Sequence, residues 1–264
     1  MDRRLALVTG ASAGIGAAFA RTLAARGHDL VLTARRAERL EALAGELRDR
    51  HGVEVLTLAA DLADPGAPAA LQGALTARGL SVDILVNNAG YGLPGGFGDN
   101  DWRDQAAVLQ VMLTAPCELA HRLLPGMRAR GYGRIINVAS LAGLTPGGVG
   151  LYGPVKAFLI GFSQSLRQEC VGDGVHVSAL CPGLTWSEFH DVNGMREPLN
   201  RATPAWLWME AETVVAAGLA AAEANRPVCV PGAANKVLAG LAWLLPDRWV
   251  MAITAAQGWR FRKP

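Results

Sequence analysis

The sequence predicts a doubly wound α/β fold, with one parallel sheet held between two layers of helices in a single domain spanning residues 1–264. Three observations predict it. Apolar strand-like runs alternate with helical stretches along the chain, the β-α-β pattern whose right-handed crossovers build a parallel sheet. Several runs are apolar at successive positions, as strands covered on both faces must be. The chain has 264 residues, 51% hydrophobic and 18% charged, which is ample material for one large core.

The strand-like runs are Leu5–Val8, Leu30–Thr33, Val53–Ala59, Val82–Val86, Arg134–Val138, Val175–Cys181 and Val228–Val230. The helical stretches between them are Gly16–Arg26, Ala37–Arg50, Ala67–Ala77, Trp102–Arg130, Lys156–Cys170 and Glu212–Ala224. In such a sheet ligands bind beyond the carboxyl ends of the strands. The irregular segment at 184–210 follows one of those ends and is rich in Trp, Met and Pro, so it is expected to be a substrate lid. The tail at 233–264 is expected to form two short helices broken at Pro246.

Composition narrows the function. The net charge is +2, with no long basic block, which gives no footing for nucleic acid. Cys117, Cys170, Cys181 and Cys229 are widely spaced and form no CxxC pair, so they are expected to be buried free thiols in a reducing compartment. His121, His176 and His190 have no partners at metal-ligand spacing, and no metal is assigned. No apolar run reaches the ~18 residues of a membrane span. The only candidate for a signal-peptide core, Leu5–Val8, is too short. A cytoplasmic protein is expected.

The first strand runs into Thr9-Gly10-Ala11-Ser12-Ala13-Gly14-Ile15-Gly16 and then an alanine-rich helix. Gly10 permits a tight turn, Gly14 lets backbone approach a pyrophosphate, and Gly16 lets helix and strand pack closely. The helix start offers free N–H groups and a partial positive charge to phosphates. The second strand leads to Ala34-Arg35-Arg36, where a site for NAD places a carboxylate on the ribose 2′-hydroxyl. A guanidinium here grips a 2′-phosphate instead, and the Ser12 hydroxyl adds a further bond. The expected cofactor is NADP, with NAD disfavoured.

Tyr152 and Lys156 stand four residues apart, on one face of a helix. Free tyrosine has a pKa of about 10. A nearby ammonium together with oxidised nicotinamide stabilises the phenolate, so the phenol can give or take a proton as hydride moves. Ser140 follows the strand Arg134–Val138, where its hydroxyl is placed to polarise a carbonyl.

Together these residues resemble the short-chain dehydrogenase/reductase family of Rossmann-fold oxidoreductases. The resemblance covers nearly the whole chain: Thr9-Gly10…Gly14-Ile15-Gly16, Asp61, Asn87-Asn88-Ala89-Gly90, Ser140, Tyr152-Gly-Pro-Val-Lys156 and Pro182-Gly183. It implies that Asp61, with Leu62, contacts the adenine, and that Asn88, Ala89 and Gly90 support the nicotinamide side. Lys156 would also hold the nicotinamide ribose. Pro182-Gly183 would open the loop facing the nicotinamide, with Thr185 and Ser187 among the cofactor contacts. It further implies a homodimer or homotetramer, paired along Trp102–Arg130 and the helix after Tyr152.

Three departures stand out. The family often has an asparagine in the middle helix that anchors a proton-relay water, where this chain reads Val111-Met112-Leu113-Thr114-Ala115. The interval from Ser140 to Tyr152 is one residue shorter than usual. Pro154 lies between Tyr152 and Lys156, which requires the helix to have just begun there. Slower catalysis or a different proton route is expected.

The expected activity is hydride transfer between nicotinamide and a small apolar carbonyl or alcohol, with Leu184, Trp186, Phe189, Trp206 and Trp208 as apolar pocket candidates. Two other readings compete. A non-catalytic NADP-binding redox sensor or scaffold would account for Met112. A lipid enzyme resting on a membrane would use Trp243, Trp249 and Trp259 with Arg260, Arg262 and Lys263, although the short, interrupted apolar segments disfavour it.

Overall fold

The computed structural model describes residues 3–148, 150–189 and 203–258. Of the expectations above, His190, Trp259, Arg260, Arg262, Lys263 and the middle of the 184–210 segment lie outside the described residues.

A seven-stranded, all-parallel sheet forms the centre. Its strands are β1 Leu5–Thr9, β2 Asp29–Ala34, β3 Val55–Ala59, β4 Ile84–Asn87, β5 Gly133–Val138, β6 Val175–Leu180 and β7 Val228–Cys229, in the spatial order β3-β2-β1-β4-β5-β6-β7. Chain order reverses between β1 and β4, and the crevice beyond their carboxyl ends is the ligand position of a doubly wound sheet.

Helices cover both faces. On one side lie α1 Gly14–Ala25, α2 Ala37–His51 and α7 Ala211–Glu223. On the other lie α3 Ala67–Thr76, α4 Trp102–Leu109, α5 Ala115–Ala129 and α6 Tyr152–Glu169. Alternation in β1 explains how one strand serves two cores: Ala6 and Val8 join the first, Leu5 and Leu7 the second. Burial on both sides is why the strands read as continuous apolar runs.

The expected helix Trp102–Arg130 is not continuous. Residues Gln110–Thr114 form a π-helical turn between α4 and α5. Pro116 follows at once; it has no N–H to bond the carbonyl four residues back, at Met112, and its ring crowds that carbonyl. Widening the preceding turn relieves the conflict. Pro116 remains productive, since its own carbonyl accepts a bond from the buried Asn87 side chain at 3.2 Å.

The tail forms α8 Ala233–Leu244 and α9 Asp247–Gly258, broken at Leu245-Pro246 as expected. Thr254 of α9 bonds the Pro146 carbonyl, so the tail braces the loop that follows Ser140. Among the described residues no helix is long and apolar enough to cross a membrane.

Candidate functional site

The glycine turn after β1 and the Asn87–Gly90 turn after β4 are bound into one unit. The Thr9 hydroxyl donates to the Val86 carbonyl at 3.2 Å and accepts from the backbone N–H groups of Asn88 and Ala89 at 2.9 and 3.0 Å. The Asn88 amide returns bonds to the Thr9 and Gly10 carbonyls at 3.0 and 3.3 Å. Gly10 has φ +64°, and a side chain there would meet Ala89 backbone at 2.9 Å. At Gly16 a Cβ would lie 2.3 Å from the Gly10 carbonyl oxygen, so only glycine fits. The helix α1 starts at Gly14, earlier than the expected Gly16, and Ala13 at its N-cap offers no capping side chain. No N-cap side chain takes up its first N–H groups, an arrangement that suits an anion such as a pyrophosphate.

Beyond β2 the two arginines diverge. Arg36 reaches back to the glycine turn, where its guanidinium donates to the Ser12 hydroxyl at 3.0 and 3.2 Å. Arg35 instead lies within electrostatic reach of the Tyr91 phenol, which Asp61 also reaches. Arg39, three residues beyond Arg36 on α2, joins the Arg36 cluster through a shared partner, Glu188. Sequence reasoning missed Arg39, although its helical spacing from Arg36 was a usable signal. It had no means to find Glu188, which is remote in the chain. Asp61 is exposed and holds its own turn by accepting from the Ala63 N–H at 3.0 Å, while Leu62 is buried beside it.

Tyr152, Lys156 and Ser140 converge on the other half of the crevice. The helix α6 begins at Tyr152 rather than at Lys156, which places Pro154 in the first turn, where its missing N–H is without cost. A buried polar ladder fixes this helix to the sheet. Asn87 donates to Asn137 at 2.8 Å, Asn137 donates to the Ser163 hydroxyl at 2.8 Å, and Ser163 donates to the Leu159 carbonyl at 2.6 Å. Lys156 is buried and donates to the Val138 carbonyl at 2.7 Å, with its ammonium 5.6 Å from the Tyr152 ring centre. Ser140 caps a short turn by accepting from the Ala142 N–H at 3.1 Å, and its hydroxyl also bonds the Tyr152 phenol.

Burial sets the charge states. It pushes the Tyr152 phenol up to about 12, although the bond with Ser140 pulls the other way. It also pushes the Lys156 ammonium down to about 8. Both shifts favour the neutral form. At neutral pH the phenol therefore carries its proton and the amine keeps most of its charge.

Met112, in the π turn, is fully buried, and a Cβ on Gly90 would lie 2.9 Å from its sulfur and 3.7 Å from Lys156 Nζ. It fills the space beside the ammonium with a flexible apolar side chain.

The loop after β6 closes the site. The Pro182 carbonyl accepts from the Leu141 N–H at 2.8 Å, tying it to Ser140. Gly183 is pressed against Asn235, where a Cβ would meet the amide oxygen at 2.5 Å. Thr185 is buried and bridges to Met209. Phe189 lies 5.5 Å from the Tyr152 ring, and Trp186 stacks on Trp208 at 4.4 Å. A cleft beside Tyr152 is lined by Tyr91, Leu93, Gln105, Val108 and Leu151, none of which the sequence assigns to the site. Trp206, by contrast, is largely exposed.

A nucleotide-binding crevice at the switch point of a parallel sheet, beside a serine, a tyrosine and a buried lysine, defines a Rossmann-type oxidoreductase. The short chain dehydrogenase model matches residues 4–196, and the chain belongs to that family. Nodulation protein G of Rhizobium sp. (strain N33) is 40% identical over 248 residues, covering 91% of this chain and 98% of that protein. A short-chain dehydrogenase from Sphingobium yanoikuyae, solved in complex with NADPH, is 36% identical with a TM-score of 0.80 over 97% of this chain and 94% of that one. A bulky-bulky ketone specific alcohol dehydrogenase from Comamonas testosteroni is 30% identical, with a TM-score of 0.77 over 98% and 94%. The expected fold, family, enzymatic character and NADP cofactor are borne out.

Proposed function

We propose that this chain is an NADPH-dependent carbonyl reductase, reversible as an alcohol dehydrogenase, acting on small apolar ketones or secondary alcohols with Tyr152 as the proton donor. The observation that carries the reading is the convergence of Ser140, Tyr152 and the buried Lys156 beside a cleft whose lining includes Leu93, Val108 and Leu151. Bound NADPH supplies the hydride. The chain's own residues do the rest. The glycine turn and the uncapped start of α1 suit the pyrophosphate, and Arg36 with Ser12 suits the 2′-phosphate. Ser140 orients the substrate oxygen. Tyr152, protonated at neutral pH, gives that oxygen its proton, and Lys156 steadies the phenolate left behind. Phe189, against the Tyr152 ring, keeps water from one side of the phenol.

The four cysteines are free, which fits a reducing, cytoplasmic setting. The half-exposed Phe158, stacked on Phe162 along α6, supports pairing of subunits through that helix.

The test is NADPH consumption with a panel of apolar ketones. Tyr152→Phe keeps the ring but removes the proton, and turnover is expected to fall about 100-fold or more while NADPH still binds. Undiminished turnover in that variant would refute the mechanism. Inactivity of the native protein toward every carbonyl would favour a non-catalytic NADP-binding protein.

A further inference from the structure

The proposed 2′-phosphate site already holds an anion, and it belongs to the protein. Arg36 donates to Glu188 at 2.9 Å, and Arg39 donates to the same carboxylate at 2.6 and 2.9 Å. Glu188 comes from the loop after β6, 152 residues beyond Arg36 and 149 beyond Arg39. The cluster sits at the start of α2, where Arg36 is the N-cap and the helix dipole favours negative charge. The Ser12 hydroxyl completes a cradle of two guanidiniums, one hydroxyl and a helix N-terminus. The neighbouring Ser187 sits on the glycine turn, where a Cβ on Gly14 would lie 2.9 Å from Ser187 Cβ. The two arginines hold the Glu188 carboxyl below the usual carboxylate range, so it is ionised at neutral pH.

We propose that Glu188 is a specificity-determining internal competitor: its carboxylate occupies the Arg36–Arg39 cradle until the 2′-phosphate of NADP(H) displaces it. The proposal rests on the cofactor reading above and adds a cost specific to one cofactor. A 2′-phosphate set on Arg36 and Ser12 meets the Glu188 carboxylate on the same two guanidiniums, where the two anions repel and compete for the N–H groups, so NADPH binds best once Glu188 has left. A 2′-hydroxyl carries no charge to compete, so NADH leaves the ion pairs in place. Glu188 therefore weakens NADPH and spares NADH. It also ties cofactor arrival to release of residues 184–189, the segment that carries Phe189 against the Tyr152 ring. In the ligand-free protein the same carboxylate offsets part of the repulsion between two like charges one helical turn apart.

The ion pairs are about half exposed, so their loss is modest. Titration of the full-length protein with NADPH and NADH, followed by nicotinamide fluorescence, compares the native chain with Glu188→Gln. NADPH is expected to bind about three- to tenfold tighter in the variant, the scale of two exposed ion pairs. NADH affinity is expected to stay unchanged. Unchanged or weaker NADPH binding, with the native preference for NADPH intact, would overturn the competitor and leave the cofactor reading standing. Equal native affinities for the two cofactors would instead remove the cofactor reading. Hydrogen exchange gives a second readout. Adenosine 2′,5′-bisphosphate is expected to raise amide exchange across residues 184–189, and adenosine 5′-monophosphate is not. Equal effects of the two nucleotides would also overturn the proposal.

Discussion

Arg36→Ala is the substitution that separates the roles of the paired arginines. The sequence puts Arg35 first in the place of the missing carboxylate, with Arg36 beside it, whereas in the structure Arg36 is the one that bonds Ser12 at the glycine turn. A hydrogen bond to a charged group contributes about 1.5–3 kcal/mol when well sheltered. The Arg36 side chain is 43% exposed, so the sheltered figure must be discounted for solvent screening. The expected loss of NADPH affinity is then about 1–2 kcal/mol, or roughly five- to thirtyfold. NADH has no phosphate at that position, and its affinity is expected to change by less than about twofold. Arg35→Ala, within electrostatic reach of Tyr91, is expected to cost under about 0.5 kcal/mol with either cofactor. Calorimetric titration of the native protein and the two variants with both cofactors measures all six affinities. Removing Arg36 exposes no uncompensated carboxylate, because Arg39 still holds Glu188. An unaltered NADPH/NADH ratio in Arg36→Ala would refute the assignment, and a larger effect from Arg35→Ala would move the phosphate to the Asp61 side.

Two further predictions concern the catalytic half. Lys156 is held near 8, so it is charged below that pH and neutral above it; kcat/KM for ketone reduction is expected to fall as pH rises through about 8, because a neutral amine no longer steadies the phenolate. Tyr152, near 12, keeps its proton throughout that window, so the falling limb belongs to Lys156 and should vanish from the low residual activity of Lys156→Met; a native profile flat to about pH 10 would contradict this. Met112→Asn exchanges a fully buried thioether for an amide and is expected to destabilise the fold by about 2–4 kcal/mol, whereas Met112→Leu should cost under about 1.5 kcal/mol; equal denaturation midpoints for the Asn variant and the native chain would show that the π turn offers the amide its partners.

The architecture was legible because its signals are local. Buried strands flanked by glycine and charge announced β1, β2, β5 and β6 to within one residue at each end, and the turn Gly10–Gly16 declared its own chemistry. What escaped was set by partners distant in sequence. The strands β3 and β4 begin later than their apolar runs, at Val55 and Ile84, since pairing with β2 and with β1 and β5 decides where a ladder starts. The π turn escaped because apolar periodicity in Trp102–Arg130 is insensitive to one widened turn, although Pro116 marked the place. Tyr91, Leu93 and Gln105 line the cleft only because the loop after β4 folds back toward α6.

The charge states at Tyr152 and Lys156 also explain why the site needs its own walls. Burial raises the phenol and lowers the ammonium, so the ligand-free pair is biased toward two neutral groups. Proton donation turns the phenol into a phenolate, which burial alone would make costly. The cost is met only by groups held in place beforehand. Lys156 is anchored to the Val138 carbonyl, one strand end from Ser140, and the helix carrying both Tyr152 and Lys156 is pinned to β4 and β5 through Asn87, Asn137 and Ser163. Loss of that ladder would leave the residues present but free to shift, and a misplacement of about 1 Å is enough to cost about 100-fold in rate. On this reading Asn87 and Asn137 position the phenol through the buried chain in which Asn137 accepts from Asn87 and donates to Ser163.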